Sequence, residues 1–200
     1  MASLLNLAEN QISLGGSWGD FDGDGTLDLF VANLGPDALY RREPQISAAG
    51  FVNVTAAAGV VDRAASFAAA WADYDKDGRL DLFVAHDRSD LLYQNRGDGT
   101  FENAASVAGV AGRGTSRTAA WQDFDRDGDL DLFVGNQEGG GFLYRYGGNG
   151  TFREVAAPLG IAANASTRDA VWVDFDRDGA PDLSVIDASG LLLFRNPGFR

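Results

Sequence analysis

A chain of 200 residues with 45% apolar and 22% charged side chains can bury a real core, and it contains no unbroken apolar run of the about 18 residues that a membrane-crossing helix needs. Its formal charge of −13 argues against nucleic acid and anionic membranes as partners, and the lack of cysteine excludes disulfides and thiolate metal sites. Of the 29 acidic residues 24 are aspartate, a bias to the shorter carboxylate that points to tight loops.

Along the chain, Met1 to Gln11 lack the basic start and apolar stretch of a secretory leader. Ser13 then opens a pattern that continues through the small residues Gly15 and Gly16 to Trp18, an Asp-rich loop and an apolar run ending at Val31. The segment Trp18 to Val31 aligns without gaps with Trp71 to Val84, Trp121 to Val134 and Trp172 to Val185. The tryptophans stand 53, 50 and 51 residues apart, and a hydroxyl residue (Ser13, Ser66, Ser116, Thr167) precedes each by five. Second apolar runs such as Leu91-Leu-Tyr93 follow, then Gly-rich turns such as Gly97 to Thr100, then an aromatic at Phe51, Phe101, Phe152 or Phe199.

Each repeat therefore reads as about four short strands divided by turn chemistry, too short and too broken by glycine for helices. Consecutive apolar residues such as Leu82-Phe-Val84 suit strands buried on both faces. The expected fold is all-β, a β-propeller of four repeats of about 50 residues, each a four-stranded antiparallel blade. One domain fills 1–200, with repeats near 13–63, 64–113, 114–163 and 164–200. The small residues before each tryptophan fit the innermost strand, and the tryptophans fit the core.

Each loop follows Asp-x-Asp-x-Asp-Gly-x-x-Asp. The first holds Asp20, Asp22, Asp24 and Asp28, and the second Asp73, Asp75, Asp77 and Asp81. The third holds Asp123, Asp125, Asp127 and Asp131, and the fourth Asp174, Asp176, Asp178 and Asp182. Glycine at position six permits a sharp turn, and position seven (Thr26, Arg79, Asp129, Ala180) can offer a backbone carbonyl. Two carboxylates ~5 Å apart repel by roughly 3 kcal/mol at an effective dielectric of ~20. Sixteen such charges call for cations, and an all-oxygen flexible loop selects Ca²⁺, about four ions per chain. The loop shares its first half with an EF-hand, but Asp at position nine and a strand-like run replace the helix and its Glu.

These loops, with Leu92 to Phe101 and Phe51 to Val60, resemble the FG-GAP/VCBS repeats of integrin α-chains and of ASPIC/UnbV-like bacterial proteins. The resemblance implies Ca²⁺ at the aspartates, an extracellular or periplasmic setting, and recognition of a protein or glycan. Propellers of the family usually have seven or so blades, whereas four repeats stand here.

Met1 aligns with Val54, Ala104 and Val155, just inside the outer strand, and the last residues reach the start of that strand. This phase favours a four-bladed monomer in which residues 1–12 complete the last blade. A head-to-tail dimer closing an eight-bladed ring is the alternative.

The expected function is a non-catalytic, calcium-stabilised binding module, with loops Asn33 to Asp37, His86 to Asp90, Asn136 to Gly141 and Asp187 to Gly190 as its variable surface. Lectin-like binding of sugar between blades, or a repeat scaffold without a native ligand, are the competing readings. Catalysis is not expected. His86 is the one histidine, read as an exposed loop residue, and the carboxylates are committed to metal.

Overall fold

Short apolar runs punctuated by glycine turns fold into four antiparallel sheets, each wound in sequence order from its first strand outward. The computed structural model describes residues 11–43, 45, 50–161 and 166–198. The first blade contains β1 (Ser13–Gly19), β2 (Asp28–Asn33), β3 (Ala38–Arg42) and β4 (Phe51–Asn53). Helix α1 (Thr55–Ala58) leads to β5 (Ser66–Ala72), β6 (Asp81–His86), β7 (Leu91–Asn95) and β8 (Phe101–Asn103) of the second. Helix α2 (Ala105–Ala108) leads to β9 (Ser116–Gln122), β10 (Asp131–Asn136), β11 (Gly141–Tyr146) and β12 (Phe152–Glu154) of the third. The fourth has β13 (Thr167–Val173), β14 (Asp182–Asp187) and β15 (Gly190–Phe194).

The two single-turn helices correct the expectation of strands and turns alone. Thr55-Ala-Ala-Ala58 carries no strand former long enough to pair, and Gly59, at φ 76°, ends the turn in the left-handed region. Gly109 does the same for α2 at φ 79°.

Register repeats as faithfully as sequence. Trp18 pairs with Leu29, Trp71 with Leu82, Trp121 with Leu132 and Trp172 with Leu183. Each first strand is bulged just after its hydroxyl residue, as between Ser66 and Ala68. The middle strands β6 and β10 are buried at all six residues, as expected for sheets covered on both faces. The core is thus not inside a blade but between blades. Phe30, Leu39, Leu82 and Val84 fill the first junction, Phe83, Leu92, Leu132 and Val134 the second, and Phe133, Leu143, Leu183 and Val185 the third.

The four first strands line one open hollow of about 480 Å³, so the stack is propeller-like with β1, β5, β9 and β13 innermost. No packing of comparable extent joins β1 to β13 among the described residues. The single-chain ring expected from the sequence is therefore not closed there. The expected outer strand at Phe199 and residues 1–10 lie outside the described residues. Ile12 accepts a hydrogen bond from Leu34 N at 2.8 Å, so it extends the first blade, not the last.

Candidate metal centre

Every Asp loop is curled by the same local bonds. Position one accepts the N–H of the position-six glycine: Asp20 from Gly25, Asp73 from Gly78, Asp123 from Gly128 and Asp174 from Gly179, at 2.9–3.0 Å. Those glycines sit at φ 86–91°, where a side chain would be strained. Position five accepts the N–H of position seven, as Asp24 does from Thr26 and Asp178 from Ala180 at 2.8 Å.

The ninth residue anchors the loop to the blade. Asp28, Asp81, Asp131 and Asp182 are at most 1% exposed, each on the first residue of a middle strand. One oxygen of each accepts from the end of the third strand or, in the fourth blade, from two residues beyond it: Arg42, Asn95, Tyr146 and Asn196 donate through their N–H at 2.8 Å. The other oxygen accepts from Phe21, Phe124 or Phe175 N–H in the first, third and fourth loops.

Carboxylate oxygens of Asp20, Asp22 and Asp28 lie within 4.8 Å of one another, as do those of Asp73, Asp75 and Asp81, and of Asp174, Asp176 and Asp182. In the third loop the group is Asp123, Asp125 and Asp127. Asp24, Asp77 and Asp178 fall outside these groups, and so does Asp131. At position seven the backbone N–H of Thr26, Arg79, Asp129 and Ala180 donates to the position-five carboxylate of its own loop. The Asp129 side chain reaches across to Lys76 Nζ at 2.5 Å on the neighbouring blade.

Crowding shows in the electrostatics. Burial, then the carboxylates of Asp22 and Asp24, push Asp28 up to about 6 despite its backbone donors. Burial with Asp75 and Asp77 pushes Asp81 to about 7, and burial with Asp125 and Asp127 does the same to Asp131. Asp81 Oδ2 and Asp123 Oδ1 are buried without a hydrogen-bond partner. A hard cation supplies what these oxygens lack, so the donor set fits Ca²⁺.

One feature of the loops escaped sequence reasoning. The third position meets a side chain from the third strand's end: Arg145 pairs with Asp125, Arg195 Nε lies 2.5 Å from Asp176 and Gln94 donates to Asp75 at 2.6 Å. Arg41 approaches Asp22 at 4.0 Å. The signal was a polar residue directly after the aromatic of each second apolar run, at Arg41, Gln94, Arg145 and Arg195.

The opposite end of the sheets corrects two further expectations. Asp37 and Asp90, expected in variable surface loops, are buried latches: Ser66 Oγ donates to Asp37 at 2.7 Å and Ser116 Oγ to Asp90 at 2.9 Å, each across a blade junction. In the third blade Gly141 stands at that place, and Thr167 Oγ1 is buried without a partner. His86 is not exposed either. It ends the fully buried strand β6 at 5% exposure, with Nε2 2.5 Å from Asp62 and Nδ1 accepting from Arg88 N.

The sequence profile of the FG-GAP-like repeat matches residues 20–84, 73–134 and 123–185, each match running from one Asp loop through the middle strand of the next blade. The chain belongs to the FG-GAP-like repeat family. No curated protein matches it. Among solved structures, this FG-GAP-like chain is similar to an Agrocybe aegerita lectin specific for non-reducing terminal N-acetylglucosamine (18% identity, TM-score 0.53, 96% of this chain and 50% of that one). It is also similar to BBS1N, solved in complex with ARL6DN (14%, 0.56, 94% and 55%). A third is the Vibrio cholerae biofilm matrix protein Bap1 (15%, 0.54, 94% and 31%). The chain spans about half the length of the first two and about a third of the last. These likenesses establish the fold.

Proposed function

We propose that this FG-GAP-like chain is a non-catalytic binding module of an extracellular or periplasmic protein, stabilised by Ca²⁺ at its four Asp loops. The supporting observation is the four-fold recurrence of converging carboxylates beside a buried ninth-position aspartate. The first and third loop positions would ligate the ion, with the ninth closing the shell in the first, second and fourth loops and the fifth position in the third. The position-seven carbonyls of Thr26, Arg79, Asp129 and Ala180 would complete it. Bound there, Ca²⁺ supplies charge compensation that fixes the turn between the first two strands of each blade. Four ions would lower the net charge from −13 to about −5.

A ligand of protein or glycan class is favoured because propeller-like relatives in fold carry both, the fungal lectin a sugar and BBS1N a protein. Calcium titration of the chelator-treated chain by calorimetry tests the metal reading, with about four ions bound per chain. Each site at 100 times its Kd adds about 2.7 kcal/mol, so melting with and without chelator should differ widely. Equal melting in the two conditions overturns the structural role. Glycan-array binding then separates a sugar ligand from a protein one.

A further inference from the structure

The first two blade junctions each carry a carboxylate that the third does without. At the first, Asp37 accepts from Asn33 N–H at 2.9 Å and from Ser66 Oγ at 2.7 Å. At the second, Asp90 accepts from His86 N–H at 3.0 Å and from Ser116 Oγ at 2.9 Å. At the third the two roles come apart. Gly140 O takes the backbone donor, Asn136 N–H, at 3.2 Å, while the hydroxyl of Thr167 is buried with no partner.

Packing fixes this arrangement. A Cβ on Gly141, at the place of Asp37 and Asp90, would meet the Phe133 ring at 2.4 Å, so no latch side chain fits there. Gly135, where the first two blades have Ala32 and Ala85, makes room for the methyl group of Thr167: a Cβ there would meet Thr167 Cγ2 at 2.3 Å. That methyl sets the rotamer, so packing and not a polar partner directs Oγ1. A buried hydroxyl held in this way costs free energy that an apolar residue of the same shape would not. The bond from Thr118 Oγ1 to Asp169, at 3.3 Å, does not involve it.

Beside Thr167 lies an open cavity of about 400 Å³, lined by Thr167, Ser166, Arg168, Arg117 and Gln137. No acid lines it among the described residues, in a chain of net charge −13. Arg117 and Arg168 directly follow Ser116 and Thr167, where the first two blades have Leu14 and Phe67. Arg117 lies over the Phe67 ring at 3.9 Å and donates through Nε to Gln137 Oε1 at 2.7 Å, which orients its guanidinium without neutralising it. Arg168 is exposed. The acids nearby already accept other bonds: Asp187 from Ser189 and Gly190, Glu138 from Thr115, and Asp169 from Thr118.

We infer that this junction binds the carboxylate of a ligand from outside the chain, with one oxygen on Thr167 Oγ1 and the group held between Arg117 and Arg168. The class is a carboxylate because the equivalent hydroxyl meets one at both other junctions, and because the guanidinium fork matches it. An acidic sugar and a free chain end share that group. Thr167 is fully covered in the free chain, so the exposed side chains of Gln137 and Arg168 turn aside on binding. The site lies at the end of the sheets opposite the Asp loops, so its failure would leave the calcium reading standing.

Amide NMR of the isotope-labelled chain in calcium buffer, at constant ionic strength, tests this. The probes are glucuronate and N-acetylglycine, with glucose and N-acetylglycinamide as their neutral counterparts. Saturable shifts at Arg117, Thr167 and Arg168 are expected with at least one carboxylate, which binds about tenfold tighter than its neutral counterpart. The tighter carboxylate identifies the source as sugar or chain end. Arg168→Gln should weaken binding about tenfold and Thr167→Val about fivefold, the latter without a lower melting temperature, since its hydroxyl has no partner to lose. Shifts that saturate with neither carboxylate, or that sulfate or chloride reproduces at equal concentration, overturn the inference. So does a folded Thr167→Val chain that binds as tightly as the parent. Should that variant not fold, Arg168→Gln decides, and unchanged binding by it overturns the inference.

Discussion

The indole N–H of Trp121 donates to the carbonyl of Ala70 on the neighbouring blade, 3.3 Å away. That bond and the stacking on Tyr74 tie two blades through one side chain. Trp121→Phe should cost about 1 kcal/mol, the value of one hydrogen bond, and Trp121→Ala about 3 kcal/mol as the junction loses its filling. Chemical denaturation of dilute chain measures both. Trp18→Ala, by contrast, should change the folding of a single chain by less than about 0.5 kcal/mol.

Individual loop positions should separate in a calcium titration. Asp75 belongs to a converging group and Asp77 does not. Asp75→Ala should reduce the calorimetric stoichiometry by one ion, whereas Asp77→Ala should retain four ions with one weakened. Asp81→Ala should do more than either, because it also frees the Asn95 N–H that Asp81 holds at 2.8 Å. Its melting point should drop even in chelator.

Much of this was legible in the sequence. The spacing of the tryptophans and aspartates gave the repeat, the strand order and the loops, since each is a local pattern that recurs. What could not be read were pairings between blades. Nothing near Ser66 in the chain indicates that its hydroxyl meets Asp37, 29 residues earlier, so Asp37 looked like part of a surface turn. His86 looked exposed for a related reason. Its turn-rich neighbours suggest a loop, while its burial comes from Asp62 and a strand covered on both faces.

The latch carboxylates set a pH dependence. Burial raises Asp37 and Asp90 to about 6 from 3.8, in spite of their serine and backbone donors. A raised carboxyl is easier to bury protonated, so this contribution to stability is full below about 3.8 and is lost as pH rises through about 6. Asp37→Asn should flatten the fall of stability over that window, as followed by urea denaturation in excess calcium. Asp37→Ala should cost about 1–3 kcal/mol by stranding Ser66 Oγ and the Asn33 N–H.

Backbone strain in the loops gives a further test. Gly78 sits at φ 87° with nothing within 4 Å of an added Cβ, so Gly78→Ala meets strain and no clash. A loss of about 1–2 kcal/mol is expected, together with weaker calcium binding at the second loop, by calorimetry and thermal melting.

The bare hydroxyl of Thr167 makes the three junctions unequal in mechanical strength. Where the first two seams are each stapled by a serine and a buried aspartate at 2.7–2.9 Å, the third has at that end only the longer bond from Thr118 Oγ1 to Asp169, at 3.3 Å. Under load or heat the stack parts there first, shedding the last blade as a unit and leaving three behind. Amide exchange along β13 would record that opening before any other.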